Sequence, residues 1–375
     1  MTTSSAITPD LLDSLAEIPP DSPLAAARKT RDQATRHIQG SYMALFDRHD
    51  GTDFTLTERL TVARQVADWH QDSRLAQHYA DRHHNPSSAT VAADTRLRAA
   101  LVHAERLTLR PVSATPAHLD ELHRAGWSLD NIVTLSQLVA YVSFQSRLLR
   151  GYRLIAGQPV ETARQGVAAS AATWRIAAAT HGGRRAPPVF TQQELGWEPW
   201  IAAKKLSDYS ASQQAVLEKN GHADSDYFRL LGRNLPVLEQ RTLTDKGIFY
   251  TAGGLTRKER ELAAAVASKI NGCIYCASVH ARKAAQLSKQ TADIERLLGT
   301  PPGDILSEGQ APRWQAEIDF AAALSITPPA AAPRHLLRLR ELGLTDLELL
   351  DLVQATAFFA WANRLMLTLG EPYEH

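Results

Sequence analysis

The chain has 375 residues, room for two helical domains, and its 41 Lys plus Arg nearly cancel its 40 Asp plus Glu. A balanced surface argues against nucleic acid or an acidic membrane as the main partner. No run reaches the roughly 18 uninterrupted apolar residues of a spanning helix, and Met1 to Pro20 lacks a basic region followed by an apolar one. The expectation is a cytoplasmic protein, in which a disulfide would not be kept for structure alone.

Apolar residues recur at helical spacing, as in Leu262, Val266 and Ile270, while alternating strand patterns are scarce. The sequence therefore predicts an all-α fold. In chain order, the first clear helix start is Thr55-Leu-Thr-Glu58, a capping box in which Thr caps and Glu answers three residues later. His70 and His78 fall on the helices that follow and read as exposed or satisfied polar positions. His83-His84, ahead of Asn85-Pro86, read as loop. An Ala-rich stretch ends at Gly182-Gly183-Arg184-Arg185-Ala186-Pro187-Pro188, which breaks any helix and reads as a linker, with the arginine pair solvated. Trp197 and Trp200 read as packing anchors, and His222, beside Gly221, as loop. Thr256 opens a second capping box with Glu259, and its helix stops at Asn271-Gly272. A second helix begins near Cys273, so residues 256–290 read as a helical hairpin. A last apolar stripe runs through Leu349, Leu352, Val353, Thr356 and Phe359.

An internal repeat is visible. Thr55-to-Arg59 matches Thr256-to-Arg260 at a shift of 201 positions. His118-Leu119, Gly126, Gln137 and Arg147-Leu148 match His335-Leu336, Gly343, Gln354 and Arg364-Leu365 at a shift of 217. Two related helical domains are expected, 1–160 and 186–375, joined by a linker over 161–185.

Only two cysteines are present, three positions apart, a spacing that two randomly placed cysteines would show with odds of roughly 1 in 200. Cys273, Cys276 and His280 fall at i, i+3 and i+7, on one helix face. Packed antiparallel, the preceding helix would bring Glu261 to the level of His280. The thiolate is the nucleophile, and a helix N-terminus stabilises negative charge on a first-turn cysteine. An imidazole one turn on can take the thiol proton, and a carboxylate beside it can hold its tautomer. Two thiols so spaced can also close a disulfide, one attacking and the other resolving. The rival readings are a zinc site of Cys273, Cys276, His280 and Glu261, which lacks the usual further sulfur ligands, and two inert core cysteines. The helix-start argument favours Cys273 as the attacking thiol, and the spacing to His280 favours Cys276. There is no phosphate-binding glycine loop and no serine-nucleophile elbow, and no cofactor is expected.

Glu261, eleven residues, Cys273-Ile-Tyr-Cys276, three residues and His280 together resemble the alkylhydroperoxidase D branch of the carboxymuconolactone decarboxylase superfamily. The phrases Arg260-Glu261-Leu262, Asn271-Gly272 and Asn363-Arg364-Leu365 are similar to its peroxidase-related members. The resemblance is strong over 256–290 and weaker over 186–375. It implies an all-helical oligomer, often a trimer or hexamer, that reduces a hydroperoxide substrate through a cysteine disulfide and is restored by an external dithiol reductant. By position it makes Cys276 the peroxide-attacking thiol, Cys273 its resolving partner, and His280 with Glu261 the proton relay. One departure stands: a histidine found between the cysteines in some members is Tyr275 here. The first repeat holds Leu60, Asp72, Leu75 and Tyr79 at the four positions, so it is expected to be catalytically silent. It would act as a built-in subunit in a trimer that mimics a hexamer. The alternatives are a disulfide reductase using the same residues and a non-enzymatic redox-sensing or assembly module. A decarboxylase, which needs no thiols, fits less well.

Overall fold

A computed structural model of the chain describes residues 10–47, 53–82, 94–160 and 173–375. The fold is all-α. The helices of the first half are α1 (Leu11–Leu15), α2 (Pro23–Thr30), α3 (Asp32–Phe46), α4 (Leu56–Trp69), α5 (Ser73–Asp81), α6 (Thr95–Leu109), α7 (Pro116–Arg124) and α8 (Leu129–Ile155). Those of the second half are α9 (Ala211–Lys219), α10 (Asp226–Leu231), α11 (Leu235–Phe249), α12 (Arg257–Ile270), α13 (Ile274–Ser288), α14 (Thr291–Gly299), α15 (Pro312–Ser325), α16 (Pro333–Glu341) and α17 (Asp346–Thr368). A two-stranded antiparallel ribbon, β1 (Leu195–Pro199) with β2 (Gly370–Glu374), departs from the purely helical expectation. Its strands hold five residues each, one of them proline, too short for a period-two pattern to stand out in the sequence. No helix of the described residues is long and apolar enough to cross a membrane.

The helix starts follow local chemistry. Thr55 accepts from the Glu58 N–H while the Glu58 carboxylate accepts from the Thr55 N–H, and Thr256 and Glu259 form the same box on α12. Helices α6, α7 and α8 begin at 95, 116 and 129, and α15, α16 and α17 at 312, 333 and 346, a constant offset of 217. The long helices α8 and α17 pack along one another at the centre, and α3 of the first half lies on α11 of the second.

The halves exchange buried polar contacts. Arg147 on α8 donates to the carbonyl oxygen of Ser325, at the end of α15, at 2.9 Å. Arg364 on α17 donates to that of Thr108, near the end of α6, also at 2.9 Å. Each arginine stands 217 positions from the other, and so does each acceptor. Asp351 on α17 is buried and receives Arg31 of the first half at 2.7 and 2.8 Å and Arg260 of α12 at 2.9 Å, besides the Leu255 N–H.

Several isolated side chains of the sequence reading find places here. His70 is buried with Nε2 at 2.9 Å from the Ser143 hydroxyl, and His78 is half-buried with Nε2 at 2.8 Å from the Tyr42 hydroxyl. His222 does sit in a loop, but it is buried, its ring stacked on Phe228 and bonded to Thr242. Trp197 donates to the Met366 carbonyl and Trp200 to Glu371. Arg184 and Arg185 are exposed, yet each pairs with a carboxylate of the ribbon, Glu198 and Glu374. His83-His84, Asn85-Pro86 and positions 161–172 of the expected linker lie outside the described residues. The described remainder of that linker is held down, with Trp174 edge-on to Phe190 and bonded to the Pro188 carbonyl.

Candidate active site around the cysteine pair

The hairpin α12–α13 builds the site. Asn271 closes α12, and Gly272 follows at φ +74°, a conformation that glycine adopts at least cost. The turn is also tight in space: a β-carbon at Gly272 would meet Val112 at 2.6 Å and the Thr173 carbonyl at 2.7 Å. Cys273 is the N-cap of α13 and Cys276 sits in its first turn. Both are reduced and buried.

Antiparallel packing of the hairpin brings Glu261 to His280: Oε2 lies 2.5 Å from Nδ1. Arg257, one turn before Glu261, donates from Nε to its other oxygen at 2.6 Å. Glu261 is almost fully buried. Burial alone would push its carboxyl up, but His280 and Arg257 outweigh that and hold it below the ordinary value. The reverse balance acts on His280. Burial favours its neutral form, and Glu261, helped by Cys276 and Asp245, raises its pKa nonetheless. Phe359 closes over the imidazole, its ring edge-on at 4.4 Å.

The thiols differ. Burial pushes Cys273 up, and its neighbour Cys276 pushes it further. Cys276 is drawn below the usual thiol range, first by the hydrogen bond from the Cys273 thiol. Burial opposes this, and the charge on His280, the Asn363 side chain and the charge on Arg241 support it. Asn363 on α17 lies within hydrogen-bonding reach of both thiols. It is fixed from behind, accepting from Asn271 at 3.0 Å and donating to Ser268 at 3.0 Å. Arg241 and Asp245 reach the site from α11. The Asp245 carboxyl is raised by burial, against the pull of Arg241 and His280. Next to Cys273, under Arg175, Pro187 and Tyr275, is a cavity of about 30 Å³, room for about one water molecule.

The structure thus brings together Glu261, Cys273, Cys276 and His280. It adds Arg257, Arg241, Asp245 and Asn363, which sequence reasoning did not single out as site residues. Arg257 stands four residues before Glu261 on the same helix, a spacing that could have flagged it. Arg241 and Asp245 lie on a helix with no motif, and only folding brings them in. In the first half, Asp72 caps α5, Leu60 and Leu75 are core, and Tyr79 donates to Gln145, so none of the four groups has a counterpart there. Among the described residues no group of three or more His, Cys, Asp or Glu side chains is placed to hold a metal ion.

Residues 236–300 match the model of the Carboxymuconolactone decarboxylase family. No curated protein matches the chain. The matched segment holds α12, α13, both cysteines, Glu261 and His280, and nearly all of α11. The likeness to the Carboxymuconolactone decarboxylase family thus lies in the segment that carries the cysteine pair.

Proposed function

We propose that the chain is an enzyme that reduces organic hydroperoxides through a Cys273–Cys276 disulfide. The observation that carries this reading is the asymmetry of the pair: the thiol favoured to ionise, Cys276, is the one supported by the charge on His280, whose pKa the Glu261 carboxylate raises.

The Cys276 thiolate attacks the distal peroxide oxygen and the O–O bond breaks. His280 gives its proton to the departing alkoxide, which leaves as alcohol. Cys276 is now a sulfenic acid, oxidised by two electrons. The Cys273 thiol displaces its hydroxyl as water and forms the disulfide. An external dithiol restores both thiols by exchange, entering through Cys273. Arg241 supports the thiolate, and Asn363, within reach of both sulfurs, offers it a hydrogen bond.

Single-cysteine variants test the reading. Cys273→Ser treated with one equivalent of alkyl hydroperoxide is expected to hold a sulfenic acid on Cys276, which a dimedone-type reagent captures and intact mass reports. Cys276→Ser should remain unoxidised under the same conditions. Capture on Cys273 instead would reverse the polarity, and capture on neither would remove the peroxidase.

A further inference from the structure

A second site lies behind the cysteine turn, between the halves, and it concerns charge. Arg147 and Arg364 are both buried, and neither has a carboxylate partner among the described residues. Arg364 donates to the carbonyl oxygens of Ala360 and Thr108, and Arg147 to those of Ser143, Ser325 and Ile326. Both also donate to one hydroxyl, Thr327 Oγ1, at 3.1 and 2.9 Å. That oxygen has both lone pairs engaged, which leaves its own proton to donate. Among the described residues the Nε–H of each guanidinium has no partner. Two buried cations around one hydroxyl, with no anion of the described residues between them, form an unbalanced arrangement that costs free energy unless something negative joins it.

Arg364 and Thr327 stand in the wall of a cavity of about 600 Å³, within the range of small-molecule sites. Arg175 shares that wall and Arg110 lies at its exposed rim, and among the described residues no Asp or Glu lines it. Arg175 is partly balanced by Glu371 at 3.8 Å, so the uncompensated charge is at Arg364. The rest of the lining mixes apolar side chains, Trp174, Val112 and Ile326 among them, with small hydroxyl and amide groups.

We infer that this cavity binds a small organic carboxylate, its carboxylate held by Arg364 and Thr327 and its apolar body against Trp174 and Val112. A guanidinium fork suits carboxylate and phosphate alike. The apolar walls favour an acid with a hydrocarbon body over an inorganic anion. Asn271 lines the same cavity and donates to Asn363, so the site touches the turn that positions the cysteines. The inference does not depend on what the thiols react with.

Calorimetric titration of the intact, reduced chain tests it, with benzoate and octanoate as probes and benzamide, sulfate and acetate as controls. Saturable binding of at least one of the two acids is expected, with benzamide at least about tenfold weaker than benzoate and the small anions weaker still. Thr327→Val, which trades the hydroxyl for a methyl group, should weaken the acid about tenfold, and Arg364→Gln at least as much. Should Arg364→Gln fail to fold, Thr327→Val decides alone. No saturable heat from either acid up to about 10 mM, equal binding of benzamide or sulfate, or unchanged affinity in Thr327→Val would each overturn the inference.

Discussion

At the scale of single residues, the proposed cycle asks opposite things of two neighbours. Cys276 must be ionised to attack, and His280 must be protonated to release the alcohol. Their pKa values are displaced in the useful directions, Cys276 downward and His280 upward, which enlarges the share of the active thiolate–imidazolium form. Rate should rise with pH through the Cys276 value and fall as pH passes the His280 value. Glu261→Gln removes what raises His280, so the alkaline limb should move to lower pH. The weakened His280 charge supports the Cys276 thiolate less, so the acid limb should move up, and the plateau narrows from both sides. At its centre the rate is expected to fall about 10²-fold or more. The second-order rate of thiol loss, followed from about pH 5 to 9, reads this, and a Gln variant with the parent profile would contradict the relay. Cysteine spacing, the His one turn on and the Glu one helix earlier were legible from the chain, because helix periodicity and the short Asn271-Gly272 turn between two antiparallel helices bring them together. Arg241 and Asp245 were not, since their helix α11 is brought there by packing.

Among the elements, the hairpin α12–α13 is set by a few local signals and by one buried ion network. The capping box fixes where α12 begins, and Asn271-Gly272 fixes where it ends, both readable from residue types. What ties the hairpin to the rest was hidden. Asp351 clamps Arg31 of the first half together with Arg260 and the Leu255 N–H at the start of α12, groups far from it in the chain with no pattern linking them. Removing one partner from a buried network strands the others as unpaired charge. Asp351→Asn should therefore lower unfolding stability by about 3–5 kcal/mol, measured by urea denaturation. A loss below about 1 kcal/mol would mean that the network holds nothing together. The ribbon β1–β2 escaped the reading for a different reason: its strands come from distant parts of the chain and carry no alternation.

For the molecule as a whole, helix starts repeat at an offset of 201 from α4 and α5 to α12 and α13 and of 217 from α6, α7 and α8 to α15, α16 and α17, and the two sets pack through α8 with α17 and α3 with α11. The offsets were visible in the sequence because the Thr capping boxes recur at the first and the buried arginines at the second. The reciprocal contacts of Arg147 and Arg364 were not visible, since each arginine reaches the other half. The expectation that the silent half stands in for a partner subunit extends to assembly: three chains of 41.2 kDa would give a particle of about 124 kDa. Light scattering on the eluting peak measures this directly, and a monomeric mass would refute the assembly while leaving the chemistry untouched. The chemistry itself is tested most directly by rapid mixing. Fully reduced protein meets one equivalent of alkyl hydroperoxide or of a small disulfide, and free thiols are counted over time. The account predicts prompt loss of both thiols with the peroxide, one disulfide formed per peroxide consumed, and much slower loss with the disulfide. Thiols that persist for minutes in peroxide, or that vanish faster with the disulfide, would contradict it.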